Sequence, residues 1–329
     1  MDAYSPIATI MQKHGAQCTV EEFHSAVNVT FHRFESNSYD EMHQDMWESL
    51  PPQFSLLAAD CLRLAPGLSD RLSVLDIGCG TGLASDSLLK SPIGPRIAGI
   101  DLLDTSAAML AQVSRRAAGW SIPTEKFEGI VDTMLPTGRT YDLIVTCSVL
   151  HHIPDLPLFL RNVRRLQKPG GVFIHIQDPN GDHLGDPDLK ARTAQASQKA
   201  APEWLARLSP ARVLGRLSRE LNGTQNTDYL AQTNKSLLES GVIKTPLAVE
   251  EIFAITDIHA NQVSEGKGGI SIEALKAWLP DYDLLSTRAY GFFGCLWASL
   301  PANLKTVEEE LIAKQALSGL HVGALWHLR

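Results

Sequence analysis

The chain has 329 residues, 44% hydrophobic and 20% charged, with a formal net charge of −8 at pH 7. That length and balance describe a globular protein with a sizeable core, either one large domain or a core carrying an inserted subdomain. The acidic balance argues against a nucleic-acid partner, which wants a basic face, and no apolar run reaches the roughly 18 residues of a membrane span.

Five scattered cysteines, Cys18, Cys61, Cys79, Cys147 and Cys295, show no CxxC or metal-ligand spacing and fit reduced thiols. The N-terminus lacks a basic start followed by an apolar stretch, so a cytoplasmic setting is expected. Residues 1–70 read mainly as helices. Pro51-Pro52 marks a boundary, and the apolar spacing from Phe54 to Leu64 predicts a helix packed on a sheet. Strands and helices then alternate: strand 72–77, helix 83–90, strand 96–103, helix 106–118 with Ser106 as its N-cap, strand 126–131, strand 141–147, helix 156–167 and strand 171–177. Such alternation predicts an α/β domain, a parallel sheet with helices on both faces.

After Asp178-Pro179-Asn180-Gly181 the alternation stops. Residues 182–270 are mostly helical by pattern, with Leu205, Leu208, Val213, Leu214, Leu217 and Leu221 on an apolar face. A structureless loop of that size is improbable in a compact domain, so an inserted helical cap over a crevice is expected. Arg207, Arg212, Arg216 and Arg219 read as a solvated helix face, or as a patch for an anionic partner. A helix over 270–279 and strands over 282–290 and 322–328 close the chain. The division is an N-terminal helical lid (1–70), a cofactor-binding core (71–180), a substrate cap (181–270) and completion of the core sheet (271–329).

The most informative stretch is Val74-Leu75-Asp76-Ile77-Gly78-Cys79-Gly80-Thr81-Gly82, an apolar run ending in an acid and a glycine cluster before a helix. Strand, tight glycine turn and helix open a nucleotide crevice at a strand's carboxyl end. The spacing is Gly-x-Gly-x-Gly, not the G-x-G-x-x-G of a dinucleotide site, and no Lys-Ser/Thr follows as in a P-loop. The loop therefore suits a nucleoside without phosphates, with Asp76 placed to receive a cationic amine directly or through water.

Further motifs arrive in order: Ile97-Ala98-Gly99-Ile100-Asp101, Asp104-Thr105-Ser106-Ala107-Ala108-Met109-Leu110, Tyr141-Asp142-Leu143-Ile144-Val145 followed by Leu150-His151-His152-Ile153-Pro154-Asp155, and Lys168-Pro169-Gly170-Gly171-Val172-Phe173-Ile174. Together they resemble the class I S-adenosylmethionine-dependent methyltransferases of small-molecule type, closely over residues 70–178. The resemblance implies a seven-stranded doubly wound sheet, mostly parallel with an antiparallel last strand. It implies S-adenosyl-L-methionine as cofactor and S-adenosyl-L-homocysteine as product. Gly78, Cys79, Gly80 and Gly82 then lie along the methionine part of the cofactor. Asp101 or Asp104 accepts from the ribose hydroxyls, and both stay open. Val131 and Asp132, at the end of the third strand, meet adenine. Cys147 and Ser148 line the reactive end, and Tyr39 closes over the cofactor as the lid aromatic.

Methyl transfer needs alignment, and a base only where the acceptor must lose a proton first. His151, His152 and His43 are the candidates, each with a structural role as the alternative. Trp47 and His259 are candidate substrate contacts, or packing residues. The sequence shows no clustered His and carboxylates for a metal. Nor does it show the Asn/Asp-Pro-Pro-Tyr run of base or glutamine amino-methylation. The expected function is metal-independent, in-line methyl transfer to oxygen or nitrogen, less readily carbon, of a small organic molecule in secondary or cofactor metabolism. A homodimer stays open, and neither nucleic acid nor membrane is an expected partner. The competing readings are a methyltransferase fold that catalyses another reaction, such as cyclisation, and a non-catalytic cofactor-binding protein.

Overall fold

The computed structural model describes residues 4–199, 228–260, 263 and 266–329. The arginines and leucines singled out between 205 and 221 lie outside the described residues. Strands β1 (Leu72–Ile77), β2 (Ile97–Asp104), β3 (Thr124–Glu128), β4 (Tyr141–Cys147), β5 (Gln167–Pro179), β6 (Tyr282–Tyr290) and β7 (His321–Leu328) form one sheet in the order β3-β2-β1-β4-β5-β7-β6. β1 to β5 run parallel, and β7 enters antiparallel between β5 and β6. The strand order reverses between β1 and β4, which opens a crevice at their carboxyl ends, the usual ligand position of such sheets.

Among the described residues the helices are α1 (Tyr4–Lys13), α2 (Val20–Glu35), α3 (Tyr39–Met42), α4 (Gln44–Leu64), α5 (Leu83–Leu89), α6 (Ala107–Ala117), α7 (Val131–Met134), α8 (Leu156–Leu166), α9 (Pro187–Lys199), α10 (Asp228–Glu239), α11 (Val249–Thr256), α12 (Ile272–Trp278) and α13 (Ala302–Ala313). Strand alternation divides the core. Val74, Ile100, Leu102, Leu143 and Val145 pack with Phe54, Leu57, Ala58 and Cys61 of α4. Leu75, Ile77, Leu103, Ile144 and Phe173 pack with Leu156, Phe159, Leu160 and Val163 of α8. Strands covered on both faces read as near-continuous apolar runs, which is why their limits are visible in the sequence. A separate apolar cluster joins Phe23, Val27 and Phe31 of α2 to Tyr229 and Leu230 of α10 and Ile252 and Ile255 of α11. The described helices of the 181–270 stretch that follow α9 therefore pack on the N-terminal helices.

Two local expectations are corrected. Pro51 and Pro52 are no boundary, because α4 runs through both. They remove two helical N–H donors, but burial of Leu50, Gln53 and Phe54 beside them keeps the helix continuous. The third strand covers residues 124–128 and not 126–131. Gly129 leaves the strand at φ 145 while its N–H donates to the Asp104 carbonyl at 2.9 Å. Val131 and Asp132 open α7 instead.

Candidate functional site

The glycine loop caps β1. Gly78, Gly80 and Gly82 have φ of 66, 52 and 94, left-handed values that disfavour any residue with a Cβ. The Leu103 carbonyl accepts from the Gly78 and Cys79 N–H groups at 2.8 and 3.0 Å, so the loop is tied to the end of β2. The three glycines differ in surroundings. A Cβ on Gly78 meets Val149 Cγ2 at 2.5 Å, and one on Gly82 meets Val113 Cγ2 at 2.7 Å, whereas one on Gly80 meets nothing within 4 Å. The outer glycines serve packing, and the middle one opens onto free space.

Two buried acids, at the ends of β1 and β2, adjoin the loop. Asp76 is fully buried, and its Oδ2 accepts from the Ser85 hydroxyl at 2.6 Å. Its Oδ1 has no hydrogen-bond partner among the described residues, and burial pushes the carboxyl up to about 7. An unmatched buried carboxylate oxygen is costly and marks a place where a donor or cation fits. Asp104 ends β2; its Oδ2 accepts from the Gly80 N–H and its Oδ1 from the Ser106 N–H, both at 2.8 Å. Burial raises its pKa, with the two N–H groups opposing. Asp101 lies elsewhere: with Leu103 it belongs to the other face of β2, its Oδ2 held by the Tyr141 hydroxyl at 2.7 Å and by Arg139 at 2.8 Å. Of the two acids left open by the sequence, only Asp104 is bonded to the glycine loop.

The N-terminal helices latch onto the same loop through Asp40. Its carboxylate accepts from the Thr81 hydroxyl at 2.5 Å, the Trp47 indole N–H at 3.2 Å and Arg116 at 2.6 Å. The Arg116 guanidinium lies 3.7 Å from the centre of the Trp47 ring, so Trp47 is part of a latch. The Tyr39 ring lies 4.4 Å from that of His43. His43 Nε2 is 3.5 Å from Glu35 Oε1, and His32 Nδ1–H donates to Glu35 Oε2 at 3.0 Å. Burial works against the Glu35 charge, but the hydrogen bonds from His32 and His43 hold the carboxyl well below the usual carboxylate range.

Beyond β4 the chain turns at Ser148, held at φ 60, with its N–H donating to the Ile176 carbonyl at 2.9 Å. Burial keeps the neighbouring Cys147 thiol protonated, its pKa far above the ordinary value. The turn then delivers His151. Its backbone N–H and ring Nδ1–H both donate to Asp178 Oδ1, at 3.2 and 2.9 Å. Complete burial works to raise the Asp178 pKa, but the hydrogen bond from His151 and the His175 imidazole 3.5 Å away pull it far below the usual range. An ionised carboxylate only accepts, so the His151 proton facing Asp178 sits on Nδ1, and the lone pair of the neutral ring is on Nε2. Asp178 is aimed by an irregularity in β5: the ladder shifts register between His175 and Asp178, and Gln177 sits at φ 68.

His152 Nδ1–H donates to the Thr256 carbonyl at 2.6 Å, and burial, then the neighbouring His151, lowers it to about 3. His259 is a tie between loops. Its ring Nε2–H donates to the Ile153 carbonyl at 2.9 Å and its backbone N–H to the His151 carbonyl at 3.0 Å. Asp132 is exposed and accepts from Asn162 at 2.9 Å, while Val131 is buried. His151, His152 and Asp257, which are not clustered in the sequence, come together with ligand atoms within 4.8 Å of one another. Sequence reading missed Asp178, Asp257, Asp40, His32 and Glu35. For Asp178 a signal existed: like Asp76 and Asp104, it is an acid at the end of an apolar run.

A family model described as a methyltransferase domain matches residues 46–222. An enzyme named ubiquinone biosynthesis O-methyltransferase from Xanthomonas oryzae pv. oryzae (strain PXO99A) is 30% identical over 188 residues, 55% of this chain and 71% of that protein. One of the same name from Methylobacterium nodulans is 31% identical over 105 residues, 32% of this chain; the match spans 40% of the length of that relative. Among solved structures, a putative sarcosine dimethylglycine methyltransferase from Galdieria sulphuraria is similar at 14% identity and a TM-score of 0.43, over 84% of this chain and 85% of that one. This chain belongs to the class I S-adenosylmethionine-dependent methyltransferase family. The family's cofactor is S-adenosyl-L-methionine, and the unmatched Asp76 oxygen and the free space at Gly80 are features such a cationic nucleoside fits.

Proposed function

We propose that this chain transfers a methyl group from S-adenosyl-L-methionine to an oxygen or nitrogen of a small organic acceptor whose proton must be removed. The observation that carries the reading is the unmatched Asp76 Oδ1 at the end of the strand that leads into the loop, together with the open side of Gly80. When bound, the cofactor supplies an electrophilic methyl on a sulfonium. Asp76 meets the cofactor's ammonium group, and Asp104 accepts from the ribose hydroxyls while it holds Gly80 in place. The Asp40 latch fixes the lid helices against the loop at Thr81.

His151 takes the acceptor's proton on Nε2. Asp178 keeps that nitrogen free by holding Nδ1–H, and its charge stabilises the imidazolium that forms. Neither His152, whose pKa lies near 3, nor the buried Cys147 thiol offers a comparable base at neutral pH. The test is methyl-labelled S-adenosylmethionine incubated with a panel of phenolic, hydroxyl and amine acceptors and with a metabolite extract. Labelled product is expected from the parent chain. His151→Gln is expected to lower kcat by about 10²–10⁴ while S-adenosylhomocysteine affinity stays within about twofold. Parental turnover in His151→Gln refutes the assigned base. No labelled product from any source refutes methyl transfer.

A further inference from the structure

The turn after β4 and the end of α11 together hold a donor set with a second chemistry. One ring nitrogen from each of His151 and His152 and one carboxylate oxygen of Asp257 lie within 4.8 Å of one another. Both imidazoles are oriented from behind, His151 by the Asp178 carboxylate and His152 by the Thr256 carbonyl. A carboxylate or backbone carbonyl behind each ring is the arrangement that fixes metal-ligating histidines.

We propose that His151, His152 and Asp257 form a site for a divalent cation of the zinc class. Two imidazoles and one carboxylate suit zinc or a neighbouring first-row metal better than magnesium or calcium, which prefer oxygen. Bonds of about 2.0–2.2 Å place adjacent ligands about 3–3.5 Å apart. Closing from 4.8 Å thus takes roughly 1.5 Å of side-chain movement. Asp257 is the C-cap of α11. The three side chains keep 10, 20 and 24% of their surface accessible, which leaves a route for the ion. Three protein ligands leave a further coordination position open. The cation takes the same His151 lone pair that receives the acceptor's proton, so the metal-loaded and base-competent forms exclude one another. That consequence rests on the proposed function, but the site itself does not.

The test is a calorimetric titration of zinc chloride into the tag-free, chelator-stripped full chain without cofactor or acceptor. Saturable binding of one zinc per chain is expected. Asp257→Asn and His152→Asn are each expected to weaken it at least tenfold, with unchanged circular dichroism spectra showing that the variants fold. Magnesium should not compete. Absence of saturable zinc binding, equal binding of magnesium, or zinc affinity unchanged in both folded variants overturns the site. Because no cofactor is present, failure of the methyl-transfer reading does not affect this result.

Discussion

Gly80→Ala separates the ligand-binding role of the glycine loop from its packing role. Gly80 sits at φ 52, where an L-residue costs about 1–2 kcal/mol. Its added Cβ meets nothing within 4 Å, so no packing penalty follows. Gly78→Ala carries the same backbone cost at φ 66, plus a Cβ placed 2.5 Å from Val149 Cγ2. Overpacking of that kind adds about 1–3 kcal/mol, for a total of about 2–5 kcal/mol. Denaturant unfolding should therefore find Gly80→Ala only slightly destabilised and Gly78→Ala markedly so. Calorimetry with S-adenosylhomocysteine should give the reverse emphasis. The Gly80 methyl intrudes on the space assigned to the cofactor, and affinity should fall at least tenfold, about 1.4 kcal/mol. A stable Gly80→Ala chain that binds like the parent would refute the assignment of that space.

The remaining predictions concern pH. Asp76 is neutral below about pH 7 in the free chain and must ionise to face an ammonium group, so cofactor binding below pH 7 should release a proton and tighten as pH rises to about 8. Titrations in buffers of different ionisation heat measure the release, and Asp76→Asn should abolish it. The folded pKa of Asp76 lies above its unfolded value of 3.8, so the native chain holds a proton that the unfolded chain has lost. Its contribution to unliganded stability is therefore complete below pH 4 and lost as pH rises through about 7, and Asp76→Asn should flatten that part of a stability–pH curve. Glu308, raised to about 7 by burial while hydrogen bonds from the Gly291 and Phe292 N–H groups oppose the rise, contributes in the same direction.

The strands buried on both faces were legible as apolar runs between glycines and acids, and β1 and β4 fall where those runs predict. β3 was not, because Thr-Glu-Lys-Phe-Glu is an exposed edge strand without an apolar signature. The reversal into an antiparallel last strand came from the family resemblance and not from periodicity. Chemistry followed the same division. Asp76, the glycines and His151 lie within a few residues of a strand end, so local sequence marks them. Choosing between Asp101 and Asp104 needs strand parity: one faces Tyr141 and Arg139, and the other faces the loop. Asp178 lies 27 residues from His151, and Asp257 follows a helix outside the core motifs. Only the folded chain pairs them with the histidines.

The account's central claim is that an adenosyl cofactor occupies the crevice between Asp76, Gly80 and Asp104. Its most direct test is one calorimetric series: S-adenosylhomocysteine titrated into the parent, Asp101→Asn and Asp104→Asn, with NAD as comparator. The account predicts saturable binding to the parent and none of NAD. It predicts affinity within about twofold in Asp101→Asn, and a loss of about 1.5–3 kcal/mol in Asp104→Asn, the worth of hydrogen bonds to a charged group. A folded parent chain that binds no adenosyl compound, or an Asp101→Asn loss equal to that of Asp104→Asn, would contradict it.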